Sequence, residues 1–128
     1  MPYEITWEPR GAVKRLFGFV SAEEFLRSAM DLQRHPNFDG LRFVINDFRE
    51  VTGHAVTETD VKKVAAYGLG AFHVNPRIAI AAVTTDAEIL RLLELYASPR
   101  YSLYAFRHFP TLVAARNWID FHTAPSPA

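Results

Sequence analysis

Apolar and polar positions alternate in two distinct rhythms along the chain. Tyr3, Ile5 and Trp7 are interleaved with Glu4, Thr6 and Glu8, the period-two pattern of a strand with one buried face. Turn residues Pro9 and Gly11 separate this stretch from "AVKRLFGFV", which is predicted to return as the second strand of an antiparallel hairpin. Ser21 and Glu24 then have capping-box spacing, and Ala22, Phe25, Leu26, Ala29 and Leu32 share one helical face. This helix is expected to end before Pro36. A turn at "NFDG" leads into "LRFVIN", an almost unbroken apolar run of the kind covered on both faces in a parallel sheet.

From the end of that run, "NDFREVTGHAVTETD", residues 46–60, reads as a polar loop reaching a second helix. Thr57 and Asp60 cap this helix, and Val61, Val64, Ala65, Gly68 and Phe72 lie along one side. "RIAIAAV" is a further continuous apolar strand. Thr85 and Glu88 read as the capping box of a third helix bearing Ile89, Leu92, Leu93 and Tyr96. "YSLYAF" suits a short edge strand, and Leu112, Ala115, Trp118 and Ile119 mark a closing helix with Pro110 in its first turn. "TAPSPA" reads as a disordered tail, residues 123–128, after a domain of residues 1–122.

The order of elements predicts a single α/β domain. It has a mixed sheet with an N-terminal antiparallel hairpin, a parallel centre joined by right-handed crossovers, and four helices. A chain of 128 residues is long enough to bury one core. Fourteen basic residues against fourteen acidic ones leave no overall field to draw nucleic acid or an anionic membrane. Cysteine is absent, which removes thiolate chemistry and cysteine-based metal sites. "MPYEITWEPR" lacks the layout of a signal peptide, and no apolar run reaches the roughly 18 residues of a membrane span. A cytoplasmic protein is expected.

The residues also carry a family likeness. Trp7 and Gly11 in the hairpin, "FGFVSAEEF" with Gly18, "NDF", "NPRIAIAAV" and "AARNWI", in this order and spacing, resemble the STAS domains, and specifically the small bacterial SpoIIAA-like proteins described as STAS/Sec14-like. The resemblance implies a non-catalytic regulatory or binding module. Some relatives are anti-sigma factor antagonists switched by phosphorylation of a serine just before the second helix, whereas the Sec14-like description implies carriage of apolar molecules. This sequence departs from that pattern, since no serine lies between Asp47 and Val61; the nearest hydroxyl in the corresponding place, which the resemblance would make the regulatory one, is Thr57.

Candidate chemistry is sparse. Asp47 and His54 stand where open α/β sheets bind ligands, and a carboxylate orienting an imidazole makes a general base. A small enzyme built on that pair is one alternative, a phosphorylation-switched regulator another. No nucleophile completes a triad, the five histidines are too scattered for a metal site, and no cofactor motif is present, since "GLGAF" falls late in a helix. The broad apolar face of "AEILRLLELYA" is the most suggestive feature. Leu90, Leu93 and Ala97 extend it beyond one packing face, as expected of a helix that meets a second subunit, a homodimer for example, or lines a cavity. The expectation is therefore a binding module for a small apolar ligand, a lipid or a protein partner, with Asp47, His54, Leu90, Leu93 and Ala97 as its site residues.

Overall fold

The computed structural model describes residues 2–123. The elements are β1 (Tyr3–Glu8), β2 (Gly11–Val20), α1 (Ala22–Arg34), a 3-10 turn (Pro36–Gly40), β3 (Phe43–His54), α2 (Glu58–Val74), β4 (Ala79–Val83), α3 (Ala87–Ala97), β5 (Ala105–Phe109) and α4 (Leu112–Thr123). The strands form one sheet in the order β1-β2-β3-β4-β5. β1 and β2 are antiparallel, and every later pairing is parallel. This is the predicted mixed sheet. Residues 124–128, most of the expected tail, lie outside the described residues.

Successive parallel strands added in one direction through right-handed crossovers must place their connecting helices on a single face. α1, α2 and α3 accordingly pack side by side, and α4, which follows the last strand, covers the other face against β3, β4 and β5. Ile45, Ala79, Ala81, Val83 and Phe109 meet Ala115 and Ile119 on the α4 side. The three-helix side is different, because its buried residues fall into three separate patches. One is built on Ala12, Leu32, Val44 and Ile80, the second on Tyr3, Leu16 and Val20, the third on Ala82, Ile89 and Leu93.

Caps at Ser21 and Thr57 form as complete capping boxes, each satisfying two otherwise orphaned amides. Four expectations require correction. The cap of α3 is Asp86, whose carboxylate accepts from the amides of Glu88 and Ile89 at 3.0 Å, while the Thr85 side chain takes no part. β5 begins at Ala105, and Pro110 precedes the closing helix, where Thr111 Oγ1 accepts from Ala114 N–H at 3.1 Å. The largest difference is in residues 46–60. β3 runs through to His54, so only Ala55, Val56 and Thr57 connect it to α2.

Two bulges explain how a polar stretch remains in the sheet. Between the pairs Arg15↔Asp47 and Phe17↔Glu50, and again between Gly18↔Val51 and Phe19↔Gly53, β3 supplies one residue more than β2. Each extra residue resets the alternation. Phe48, Val51 and His54 consequently all face the three-helix side although they are three apart. Gly18, at φ +66°, absorbs the distortion on β2 in a conformation that L side chains rarely adopt.

At the other end of the same pairing, Gly11 lies directly opposite Phe43. A Cβ at Gly11 would fall far inside van der Waals contact with the Phe43 ring. That ring is held by the α4-side core. Gly11→Ala is expected to displace it and cost about 1–2 kcal/mol by overpacking, measured as a lower denaturation midpoint with unchanged m-value.

Candidate functional site

The space left between the three apolar patches is a cavity of about 120 Å³. Leu16, Val44, Phe48 and Phe106 form its sheet wall, Phe25 and Ala29 come from α1, Val61, Val64 and Gly68 from α2, and Ile89, Leu92, Leu93 and Tyr96 from α3. The void follows from the sequence of α2. Its inward stripe at helical spacing, Val61, Val64, Gly68 and Ala71, carries small side chains where a leucine at each turn would have closed the core. An added Cβ at Gly68 would meet only Tyr96 Oη, at 3.8 Å.

Lys14, Gln33, Asn46 and His54 interrupt the apolar lining, and three of them carry buried polar atoms. Lys14 lies between Ala12 and Leu16 on the inward face of β2 and is only 6% exposed. Its Nζ donates to Ser28 Oγ at 3.1 Å, and Ser28 in turn donates to Phe25 O at 2.8 Å. Burial pushes the Lys14 ammonium down to about 8, and the Asp31 carboxylate only partly opposes this. Asn46, directly opposite Lys14 on β3, has a buried Oδ1 with no hydrogen-bond partner. At the far end of β3, His54 Nδ1 accepts from Val56 N–H at 3.1 Å, so the imidazole proton of the neutral ring sits on Nε2. That Nε2 is buried without a hydrogen bond, 3.7 Å from Glu88 Oε1.

The candidate residues from the sequence are distributed unequally about this cavity. His54 and Leu93 line it, whereas Leu90 and Ala97 are half-buried and outside the lining. Asp47, between the inward-facing Asn46 and Phe48, points to the opposite side of the sheet. There its carboxylate binds Arg49 through Nε at 2.9 Å, Nη2 at 2.8 Å and the backbone amide at 3.1 Å. Burial acts to raise the Asp47 carboxyl, and these three bonds outweigh it and hold the group below its ordinary range. Asp47 and His54 are therefore not brought together. Thr57 is exposed, with Oγ1 donating to Asp60 Oδ2 at 2.9 Å and accepting from Asp60 N–H at 3.3 Å. Lys14 and Asn46 were not singled out in the sequence. Their only signal was period two, which puts Lys14 on the face of Ala12 and Leu16, but Val13, Phe17 and Phe19 make the opposite face of β2 look equally apolar.

A sequentially ordered five-stranded sheet opening with an antiparallel hairpin, three crossover helices on one face and a closing helix on the other define a domain of the SpoIIAA-like, or STAS, fold. Solved structures show the same fold. The chain is similar to the anti-sigma factor antagonist SpoIIAA in its unphosphorylated form, with TM-score 0.62 and 7% identity over 96% of this chain and 99% of that one. It is similar also to the Bacillus cell fate determinant SpoIIAA in its phosphorylated form, with TM-score 0.57 and 10% identity over 91% and 98% of the two chains. A third similar structure is an uncharacterised Shewanella loihica protein of the DUF3478 family with a SpoIIAA-like fold, at TM-score 0.57 and 15% identity over 91% of each chain. No protein-family model and no curated protein matches the sequence. Among the described residues, no helix is long and apolar enough to cross a membrane.

Proposed function

We propose that the protein is a non-catalytic binding module that encloses a small, largely apolar ligand between its sheet and helices α1, α2 and α3. One observation carries this reading: a cavity of about 120 Å³ inside the three-helix layer, in a domain where the α4 side is continuously packed. Native interiors hold few voids larger than a water molecule. A void near the roughly 150 Å³ that accepts benzene in an engineered apolar core is a binding volume, and emptying it of ligand forfeits dispersion contacts along its entire wall. The separation of Asp47 from His54 by the sheet removes the geometric basis for a general-base pair. Thr57 serves as a helix cap already paired with Asp60, so the cavity supports ligand carriage more directly than that hydroxyl supports a phosphorylation switch.

Toluene is a suitable first probe, with binding followed by NMR and by the shift in thermal midpoint. Wild-type protein is expected to bind it, and native mass spectrometry of freshly purified protein is expected to reveal a retained small molecule. Gly68→Leu should occupy the void from α2 and reduce toluene affinity by about tenfold, which is 1.4 kcal/mol, in a protein that remains folded. Wild type that carries no retained molecule and binds no apolar probe would refute the proposal.

A further inference from the structure

Among the described residues Lys14 is the one lysine or arginine that lines the cavity, and its surroundings leave it incompletely matched. An ammonium has three N–H donors and no acceptor. Among the described residues one donor is used, on the neutral hydroxyl of Ser28. Ser28 is itself fully buried and spends its proton on Phe25 O, so it supplies a lone pair but no counter-charge. The carboxylate whose charge acts on Lys14 is that of Asp31, but Asp31 Oδ2 accepts the Tyr3 hydroxyl at 2.5 Å and the residue is exposed. It is a neighbour of the ammonium and makes no hydrogen bond to it.

A buried charge without a bonded counter-charge is costly, and the same sheet face offers an unmet polar group beside it. Lys14 and Asn46 are direct partners across β2 and β3, which places their Cα atoms roughly 5 Å apart with both side chains on the cavity side. Asn46 Oδ1 is buried and unpaired. An amide turned about its terminal bond presents either its oxygen or its NH₂. The pair thus offers charged and neutral donors to one oxygen-bearing head, in an otherwise apolar chamber.

We propose that the ligand is a small apolar carboxylic acid, bound as its anion with the carboxylate between Lys14 Nζ and the Asn46 amide. Its ring or short chain lies among Phe25, Val44, Phe48 and Leu93. This rests on the reading of the cavity as a ligand site and specifies the chemistry of its occupant. One ammonium matches one carboxylate, whereas a phosphate dianion would bring more charge than the chamber balances. The position of Lys14 at mid-strand, with apolar residues on both sides, seats the head inside the cavity and not at its rim. A volume of about 120 Å³ suits a group of about the size of benzoate.

The test compares benzoate, benzyl alcohol and toluene on wild type, Lys14→Met and Asn46→Leu at neutral pH, by calorimetry and NMR. Wild type is expected to bind benzoate at least about tenfold more tightly than benzyl alcohol. In Lys14→Met the ratio of benzoate to toluene affinity should fall by about a hundredfold, two factors of ten in the equilibrium constant. Asn46→Leu should move the ratio the same way by a smaller factor, and because it retains the lysine it provides an independent reading if Lys14→Met is poorly folded. Wild type that binds toluene without preferring benzoate, or a ratio unchanged in both variants, overturns the acid assignment and leaves the cavity reading intact. Failure of wild type to bind any of the three overturns both.

Discussion

Lys14→Met is expected to make the ligand-free protein more stable, by about 2 kcal/mol at pH 7. The ammonium is buried, and its descent from an ordinary 10.5 to about 8 corresponds to roughly 3 kcal/mol against the charged form in the folded state, at 1.36 kcal/mol for each tenfold change in proton affinity. Methionine keeps a flexible apolar side chain of similar reach and removes the charge. The substitution strands little, because Ser28 retains its bond to Phe25 O and Asp31 is exposed and held by Tyr3. The pH dependence provides the sharper check. The folded-state value lies below the unfolded one, so the cost is fully present below about pH 8. It is relieved as pH rises toward 10.5, because there the unfolded chain binds the proton that the folded chain has released. Wild-type stability should therefore gain on Lys14→Met across that window. Tyr3, pushed up to about 12 by burial and by Asp31, titrates in both proteins and cancels in the difference. Chemical denaturation at pH 7, 8.5 and 10 measures it, and a Lys14→Met protein less stable than wild type at pH 7 would contradict the account.

The largest loss is expected at Asn75. Its side chain is buried, 3% exposed, and joins two segments distant in sequence. Nδ2 donates to Phe38 O at 2.8 Å and Leu41 O at 2.9 Å, with Asp39 O further off at 3.3 Å, while Oδ1 accepts from Arg77 N–H at 3.1 Å. The amide thereby ties the 3-10 turn before β3 to the entry of β4. The Asn75 backbone carbonyl receives Tyr104 Oη at 3.0 Å, which adds the approach to β5. Asn75→Ala removes three good hydrogen bonds in a buried setting and should cost about 3 kcal/mol, near 1 kcal/mol for each. Asn75→Asp retains the shape but sets carboxylate oxygens against carbonyl oxygens, and it should be worse still. The Tyr104 bond, made to the backbone, survives either change. Urea denaturation gives both numbers, and a loss under 1 kcal/mol for Asn75→Ala would show that water replaces the amide.

The elements that could be read from sequence were those in which one local signal decides the outcome. Ser21 with Glu24 and Thr57 with Asp60 are unambiguous caps, and "RIAIAAV" has no polar face to place. Residues 47–54 read as loop in the sequence because the sheet itself supplies the reason for their polarity. Arg49 and Glu50 are exposed, Arg49 binds Asp47, and Glu50 pairs with Arg15. Two bulges then shift the spacing of Phe48, Val51 and His54 from two to three, so no period survives to be counted. The α3 cap moved by one residue because Thr85 and Asp86 are both good caps, and backbone direction chooses between them. The cavity was half legible. The apolar breadth of α3 indicated a demand for contact beyond ordinary packing, and Leu93 does reach the cavity. The space itself arises from what α2 lacks, and missing volume at Gly68 leaves no positive mark in a hydrophobic pattern.

The sequential strand order has a consequence for how the chain reaches its native state. No strand is inserted between two earlier ones, so each new strand and its helix can add to the edge already formed, beginning from the β1–β2 hairpin. Each parallel addition must still close a crossover loop, so these pairings form more slowly than the hairpin. The hazard falls at one stage. Before β5 arrives, β4 presents "AIAAV" as a bare edge without a charge or proline, the kind of strand that recruits copies of itself. Arg107 and His108 in β5 place the first polar side chains at that border, so the final strand replaces an apolar edge with a charged one.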